Sequence, residues 1–122
     1  MANILVVEDN LIMQKVAETI LKKEGHHVTI AKDGQEAVTH LDNHSNQYDL
    51  VITDIMLPFV SGYEIVTKVK KQFATTPVII VSSVGDDEGI QKGLGIGADD
   101  YITKPIIAGD LLPRVQKLLG KS

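Results

Sequence analysis

At 122 residues, 43% of them hydrophobic and 23% charged, the chain suits one domain, 1–122, with a true core and no room for an appended output domain. The absence of cysteine excludes disulfide scaffolds, thiolate metal sites and cysteine nucleophiles, and no apolar run approaches the ~18 residues of a spanning helix. Twelve basic against sixteen acidic side chains leave a net charge of −4, without the basic face that phosphate backbones require. A cytoplasmic protein with no direct nucleic-acid or membrane partner is therefore expected.

The first strand is read at Asn3–Val7, a run too short for a helix and apolar on both faces, as parallel strands covered on two sides are. Leu11–Glu24 has helical period, with Leu11, Ile12, Val16, Ile20 and Leu21 on the expected core stripe and Lys15, Glu18 and Lys22 outside. Gly25 ends it. His27–Ile30 gives a second strand, and Asp33-Gly34-Gln35-Glu36 reads as a capping box opening a helix through Ala37, Val38 and Leu41. After a third strand, Leu50–Thr53, the box recurs at Ser61-Gly62-Tyr63-Glu64 and leads into Ile65, Val66, Val69 and Phe73. Thr76-Pro77 precedes the fourth strand, Val78–Val81. Between Gly85 and Gly97 five glycines crowd a segment that the alternation assigns to a helix, and each interior one costs about 1 kcal/mol relative to alanine. Two readings stay open there: a frayed surface helix, or an element kept near melting so that it can switch. Tyr101–Thr103 forms a fifth strand, and Leu111, Leu112, Val115, Leu118 and Leu119 mark a last helix, with Pro113 in its first turn or at a kink.

Five β-α units with right-handed crossovers imply an α/β sandwich with two helices on one face and three on the other. The expected architecture is the flavodoxin-like doubly wound (βα)5 fold, its five-stranded parallel sheet in the order 2-1-3-4-5. In such sheets ligands gather at the carboxyl ends of the strands, beside the switch between strands 1 and 3. Strand 1 ends in Glu8-Asp9, strand 3 in Asp54, strand 4 in Ser82-Ser83, and strand 5 leads to Lys104-Pro105. Helix capping by Asp9 or Asn10 explains one such acid, but not three from two separate strands beside a lysine. Converging carboxylates repel one another unless a cation sits among them, and all-oxygen donors favour Mg²⁺ over Zn²⁺. A divalent cation, the Lys104 ammonium and the Ser82 hydroxyl around one carboxylate form an electrostatic kit for phosphoryl transfer. Asp54, on the middle strand, is the natural nucleophile.

Taken together, these pieces make the whole chain resemble the receiver domain of two-component response regulators, of the chemotaxis-receiver kind. The matching residues are Val7-Glu8-Asp9-Asn10, Asp33-Gly34 with Glu36-Ala37, Asp54-Ile55-Met56-Leu57-Pro58 with Gly62, Ser82-Ser83, and Gly97 through Pro105. The resemblance implies that Asp54 accepts a phosphoryl group from a sensor histidine kinase or phosphotransfer protein. It implies Mg²⁺ held by Asp9, Asp54 and the Met56 carbonyl, with Glu8 acting through a water. It further implies that Lys104, before a cis proline, pairs with the phosphoryl oxygens, and that Ser82 moves to them and draws Tyr101 inward. That exchange would remodel the face formed by the fourth helix, fifth strand and fifth helix, for partner binding or phosphorelay. Met56 and Val84 are apolar where similar receivers place polar groups that position the hydrolytic water, which implies a long-lived phosphorylated state.

Other signals carry less. His40 and His44 have zinc-like spacing without a third ligand, and His26-His27 marks a turn. Gly93-Leu94-Gly95-Ile96-Gly97 is no dinucleotide fingerprint, Asn43-His44-Ser45 is a sequon without a secretory route, and Lys68, Lys70 and Lys71 suit an exposed helix face. The alternative function is a small Mg²⁺-dependent aspartyl-phosphate phosphatase, which would carry a second Asp where Met56 stands. A flavodoxin would need a Ser/Thr/Gly-rich cradle after strand 1. The receiver reading makes the chain a switch that catalyses only its own phosphorylation and dephosphorylation. It is a monomer or weak phosphorylation-dependent dimer: Asp100 and Arg114 match ion-pair positions of dimerising receivers, but Ile90 replaces a basic residue. If Met1 and Ser122 are the natural ends, output is expected through contact alone.

Overall fold

The computed structural model describes residues 1–43, 45 and 47–120. Its strands are β1 (Asn3–Val7), β2 (His27–Ala31), β3 (Leu50–Asp54), β4 (Val78–Ser82) and β5 (Asp100–Thr103), and its helices α1 (Leu11–Lys23), α2 (Gly34–Asp42), α3 (Gly62–Gln72), α4 (Asp87–Gly95) and α5 (Ala108–Leu118). They alternate without exception, as expected. All strand pairs are parallel, in the order β2-β1-β3-β4-β5.

Side chains alternate across a strand, so each inner strand feeds two cores. Ile4 and Val6 of β1, Ile52 of β3 and Ile79 of β4 pack toward Ala17 and Leu21 of α1 and Leu111 and Val115 of α5. Leu5, Val7, Val51 and Ile80 pack oppositely, against Ala37 and Leu41 of α2 and Ile65, Val66 and Val69 of α3. Leu94 of α4 packs against this second core as well, so the two-plus-three division of helices is observed. β3 and β4 are buried along their whole length, which is why their sequences are unbroken apolar runs.

The caps form where the sequence places them. Asp33 accepts from Glu36 N–H at 2.8 Å, and the Glu36 carboxylate reaches back to Lys32 N–H at 2.9 Å. Ser61 accepts from Glu64 N–H at 3.3 Å. Asn10, not Asp9, caps α1 by accepting from Met13 N–H at 3.0 Å, so Asp9 has no capping duty.

Three expectations change. The buried face of α1 is Ala17 and Leu21, flanked by half-buried Met13, Val16 and Ile20, whereas Leu11 and Ile12 are 78% and 70% exposed. The helix begins beyond the last residue of β1, so its first turn overhangs the sheet and has no core beneath it. Pro113 is the sixth residue of α5, so of its two expected placements the first turn is excluded. The glycines of α4 have a packing reason: a Cβ on Gly93 would overlap Ile80 Cδ1, and one on Gly89 would overlap the Asp86 cap. Gly95 faces open space, so only part of the glycine content concerns close approach. His44, with the zinc-spacing and sequon readings that need it, lies outside the described residues.

Gly62 fixes how α3 meets the sheet. Its N–H donates to Ile55 O at 2.9 Å, and a Cβ there would fall onto the Asp54 carbonyl oxygen. The obstacle is backbone, which cannot rotate away. We predict that Gly62→Ala lowers unfolding free energy by ~2–3 kcal/mol in urea titrations, more than an exposed helical Gly→Ala change would. A neutral or stabilised variant would show that the β3–α3 junction can yield.

Candidate functional site

Parallel register brings the chemistry of three strands to one rim. Val7 lies beside Thr53, and Asp54 beside Val81. Hydrogen bonds from Glu8 N to Ala31 O at 3.0 Å, Ile55 N to Val81 O at 3.0 Å and Lys104 N to Ser82 O at 2.8 Å continue the sheet pattern past the strand ends. Glu8, Asp54 and Lys104 are therefore set by the sheet itself and not by loop conformation.

Glu8 and Asp54 are 1% and 2% exposed, although both are acids. Lys104 Nζ donates to Asp54 Oδ2 at 3.0 Å and stands 3.6 Å from Glu8 Oε1. The other Glu8 oxygen accepts from Asn10 N–H at 2.9 Å, and Gln14 Nε2 donates to the Glu8 carbonyl at 2.7 Å. Carboxylate oxygens of Glu8, Asp9 and Asp54 lie within 4.8 Å of one another. Two buried atoms here have no hydrogen-bond partner, Glu8 Oε1 and Ser82 Oγ. Unmet polar atoms in a buried position are costly, and at a cluster of hard oxygen donors they are what a cation and an anion would satisfy.

Titration follows the geometry. Burial, and then the neighbouring Asp54 carboxylate, push the Glu8 carboxyl up to about 8. Asp54 is also raised by burial, against the lowering effect of Glu8 and of the bond to Lys104. Burial pulls Lys104 down, but the bond to Asp54 and the charges of Asp54, Glu8 and Asp9 outweigh it and hold the ammonium above its ordinary value. Without a cation, the site keeps its repulsion tolerable by retaining a proton on Glu8.

The remaining expected residues surround this cluster. Ser82 ends β4 and is buried, while Tyr101, on edge strand β5, turns outward with 37% of its surface exposed. The Lys104–Pro105 bond is cis, as expected. Met56 and Val84 follow β3 and β4 with exposed side chains. Phe59 is exposed too, at a positive φ of 70°, where Val60 N–H donates to Pro58 O at 2.8 Å in a γ-turn. Arg114 Nε lies 3.5 Å from Asp100 Oδ2 within the chain, and Ile90 is buried. Sequence reasoning missed Gln14 and the Asn10 N–H as supports of Glu8, since no local motif links a side chain to a carbonyl six residues earlier.

The chain's sequence and fold recur among known proteins. A family model for the response regulator receiver domain matches residues 4–116. The chain is 39% identical over 121 residues to the response regulator ArlR of Staphylococcus aureus, covering 99% of this chain and 54% of that protein. It is 36% identical over 119 residues to the response regulator RppA of Synechocystis sp., covering 98% and 51%. The chain thus spans about half the length of these curated relatives. Among solved structures, a response regulator receiver domain protein from Clostridium thermocellum superposes with a TM-score of 0.91 at 29% identity, over 99% of this chain and 96% of that one.

The proton on Glu8 has a measurable consequence. Its value is about 8 in the folded state against an ordinary 4.5, so the folded protein binds more protons between these limits. That contribution to stability is complete below the lower value and is lost as pH rises through the upper one, at up to ~1.4 kcal/mol per pH unit. Melts in EDTA should therefore show stability falling across this window, and Glu8→Gln should flatten the fall. Added Mg²⁺ should stabilise the wild type more at the alkaline end, since deprotonated carboxylates bind it better. A wild-type profile parallel to that of Glu8→Gln would rule out the retained proton.

Proposed function

The chain belongs to the response regulator receiver domain family, and we propose that in it Asp54 takes a phosphoryl group from a histidine kinase or phosphotransfer protein. The observation that carries this is the buried Asp54 carboxylate, bonded to Lys104 at 3.0 Å with two further carboxylates within 4.8 Å. A phosphorus–oxygen bond forms at Asp54 as the phosphorus–nitrogen bond of the donor phosphohistidine breaks, and the freed imidazole keeps the electron pair. Asp54 must be ionised to attack, and Glu8 is the acid that holds the site's proton beforehand. Glu8, Asp9, Asp54 and the Met56 carbonyl are the residues that would hold Mg²⁺. When bound, that ion neutralises the carboxylates and the incoming phosphoryl oxygens, which otherwise meet an acidic rim.

Lys104 then exchanges the carboxylate for a phosphoryl oxygen. The Ser82 hydroxyl, buried without a partner, donates to another. A phosphate brings close to two negative charges, so each new partner is drawn toward Asp54. Ser82 is followed by the loop into α4, and Lys104 directly follows the end of β5, so their movement reaches the α4-β5-α5 face. Tyr101, half-exposed on β5, is the side chain with an outward position to give up.

The donor's docking surface is the rim of the site. Leu11, Ile12, Met56, Phe59 and Val84 are large, apolar and exposed, and all stand on segments that follow strand ends. Apolar exposure concentrated at one edge marks an interaction surface. A docked partner that buries these side chains also keeps water from the reacting atoms.

Incubation with Mg²⁺ and acetyl phosphate should add the mass of one phosphoryl group to the wild type and none to Asp54→Asn. An unmodified wild type, or a modified Asp54→Asn, would end this reading. With apolar Met56 and Val84 at the mouth, the modification should persist for minutes or longer once the donor is removed, and Met56→Asn should shorten it. Loss within seconds from the wild type contradicts the apolar-mouth argument. Amide exchange offers a separate check: α4 should exchange readily in the unmodified protein and gain protection on phosphorylation, and firm protection in both states would separate α4 from the switch.

A further inference from the structure

A groove of about 570 Å³ between α3 and α4 takes no part in phosphoryl transfer. Tyr63, Thr67, Lys68 and Lys71 form its α3 side, Lys92 and Ile96 its α4 side. The Tyr63 hydroxyl donates to Gly89 O at 3.2 Å, so the ring bridges the two helices, and Lys92 Nζ lies 4.3 Å from the ring centroid. The chain carries a net charge of −4, yet this groove sets three lysines against one carboxylate, Glu64. Lys68 is paired with Asp42 at 2.7 Å, and neighbouring Lys70 turns away to Asp99 at 2.7 Å. Lys71 and Lys92 form no ion pair among the described residues.

We propose that this groove binds an acidic segment of a partner protein that carries an apolar anchor side chain. The anchor enters beside Tyr63, Thr67 and Ile96, and flanking carboxylates meet Lys71 and Lys92. Lys92 can exchange its ring contact for a carboxylate. Both contacts lie at the surface and both are weak, so the exchange costs little and frees the aromatic face for the anchor. An inorganic anion would leave that face and Ile96 unused. Because Tyr63 and Lys92 tie α3 to α4, an occupant also biases the position of α4. The proposal does not depend on chemistry at Asp54.

The test uses the unphosphorylated full chain, followed by backbone amide NMR. The probe is a hexapeptide of Leu-Phe flanked on each side by two aspartates. The same peptide with lysines in place of aspartates, and a thymidine hexanucleotide, are titrated in parallel. Shifts should cluster at Tyr63, Thr67, Lys71 and Lys92, and affinity should fall as salt rises. The double variant Lys71→Glu with Lys92→Glu should bind about tenfold more weakly. Thr67→Trp, which fills the groove without changing charge, should also weaken binding; these positions are exposed, so folding is preserved. The proposal is overturned by shifts elsewhere, by none at millimolar peptide, by equal binding of the lysine peptide, or by tighter binding of the hexanucleotide. Charge reversal that leaves affinity unchanged overturns it equally.

Discussion

Two nearly inaccessible carboxylates, Glu8 and Asp54, share a small space with Asp9 and one ammonium, Lys104. Ionised acids in that position are unstable unless something answers their charge. The protein answers in part, with Lys104 at 3.0 Å, the Asn10 N–H at 2.9 Å and a retained proton on Glu8. It stops short of full compensation, leaving Glu8 Oε1 and Ser82 Oγ without partners. This incomplete neutralisation is what a cation and a phosphoryl group would complete under the proposed function. The rest of the fold can be understood as the means of holding it there.

A parallel sheet is suited to that task. It delivers consecutive strand ends to one side, and three ladder-like hydrogen bonds extend the order one residue past the strands. The apolar cores on both faces supply the stability against which the repulsion is set. Gly62 lets α3 press onto the backbone of Asp54 and Ile55, so the Asp54 carbonyl is clamped from below while its carboxylate faces the rim. Misplacing such a carboxylate by an ångström would affect chemistry well before it affected folding.

The strands, the helical order and the acidic rim were legible in the sequence because each rests on a strong local signal. Val78–Val81 can hardly be anything but a strand covered on two sides, and Asp33 and Ser61 announce their helices through hydrogen bonds only three residues long. The first turn of α1 was misread for a corresponding reason. Periodicity states which residues share a face but not where the core ends, so Leu11 and Ile12 were assigned to a stripe that the sheet never reaches. The glycines of α4 were ambiguous because composition cannot separate flexibility from close approach; Gly93 against Ile80 is a matter of packing, Gly95 is not. Gln14 reaches a carbonyl six residues back by no local motif, and the Tyr63–Lys92 contact joins residues far apart in sequence; neither leaves a trace in it.

The position of β5 bears on how a local change at Asp54 would travel. β5 is the outermost strand, bonded to β4 alone, and it carries both Tyr101 and the approach to Lys104. A displacement of β3 would disturb two neighbours and both cores, whereas β5 has one ladder to strain and an exposed side to move into. Of its residues only Ile102 is buried. The helix packed against both β4 and β5, α4, is short, with nine residues, and is joined to α3 through Tyr63. Charge added at the well-braced centre would therefore displace the periphery first, because there the opposing contacts are fewest. The proposed acceptor sits where the structure resists movement, and the surfaces proposed for partners sit where it does not.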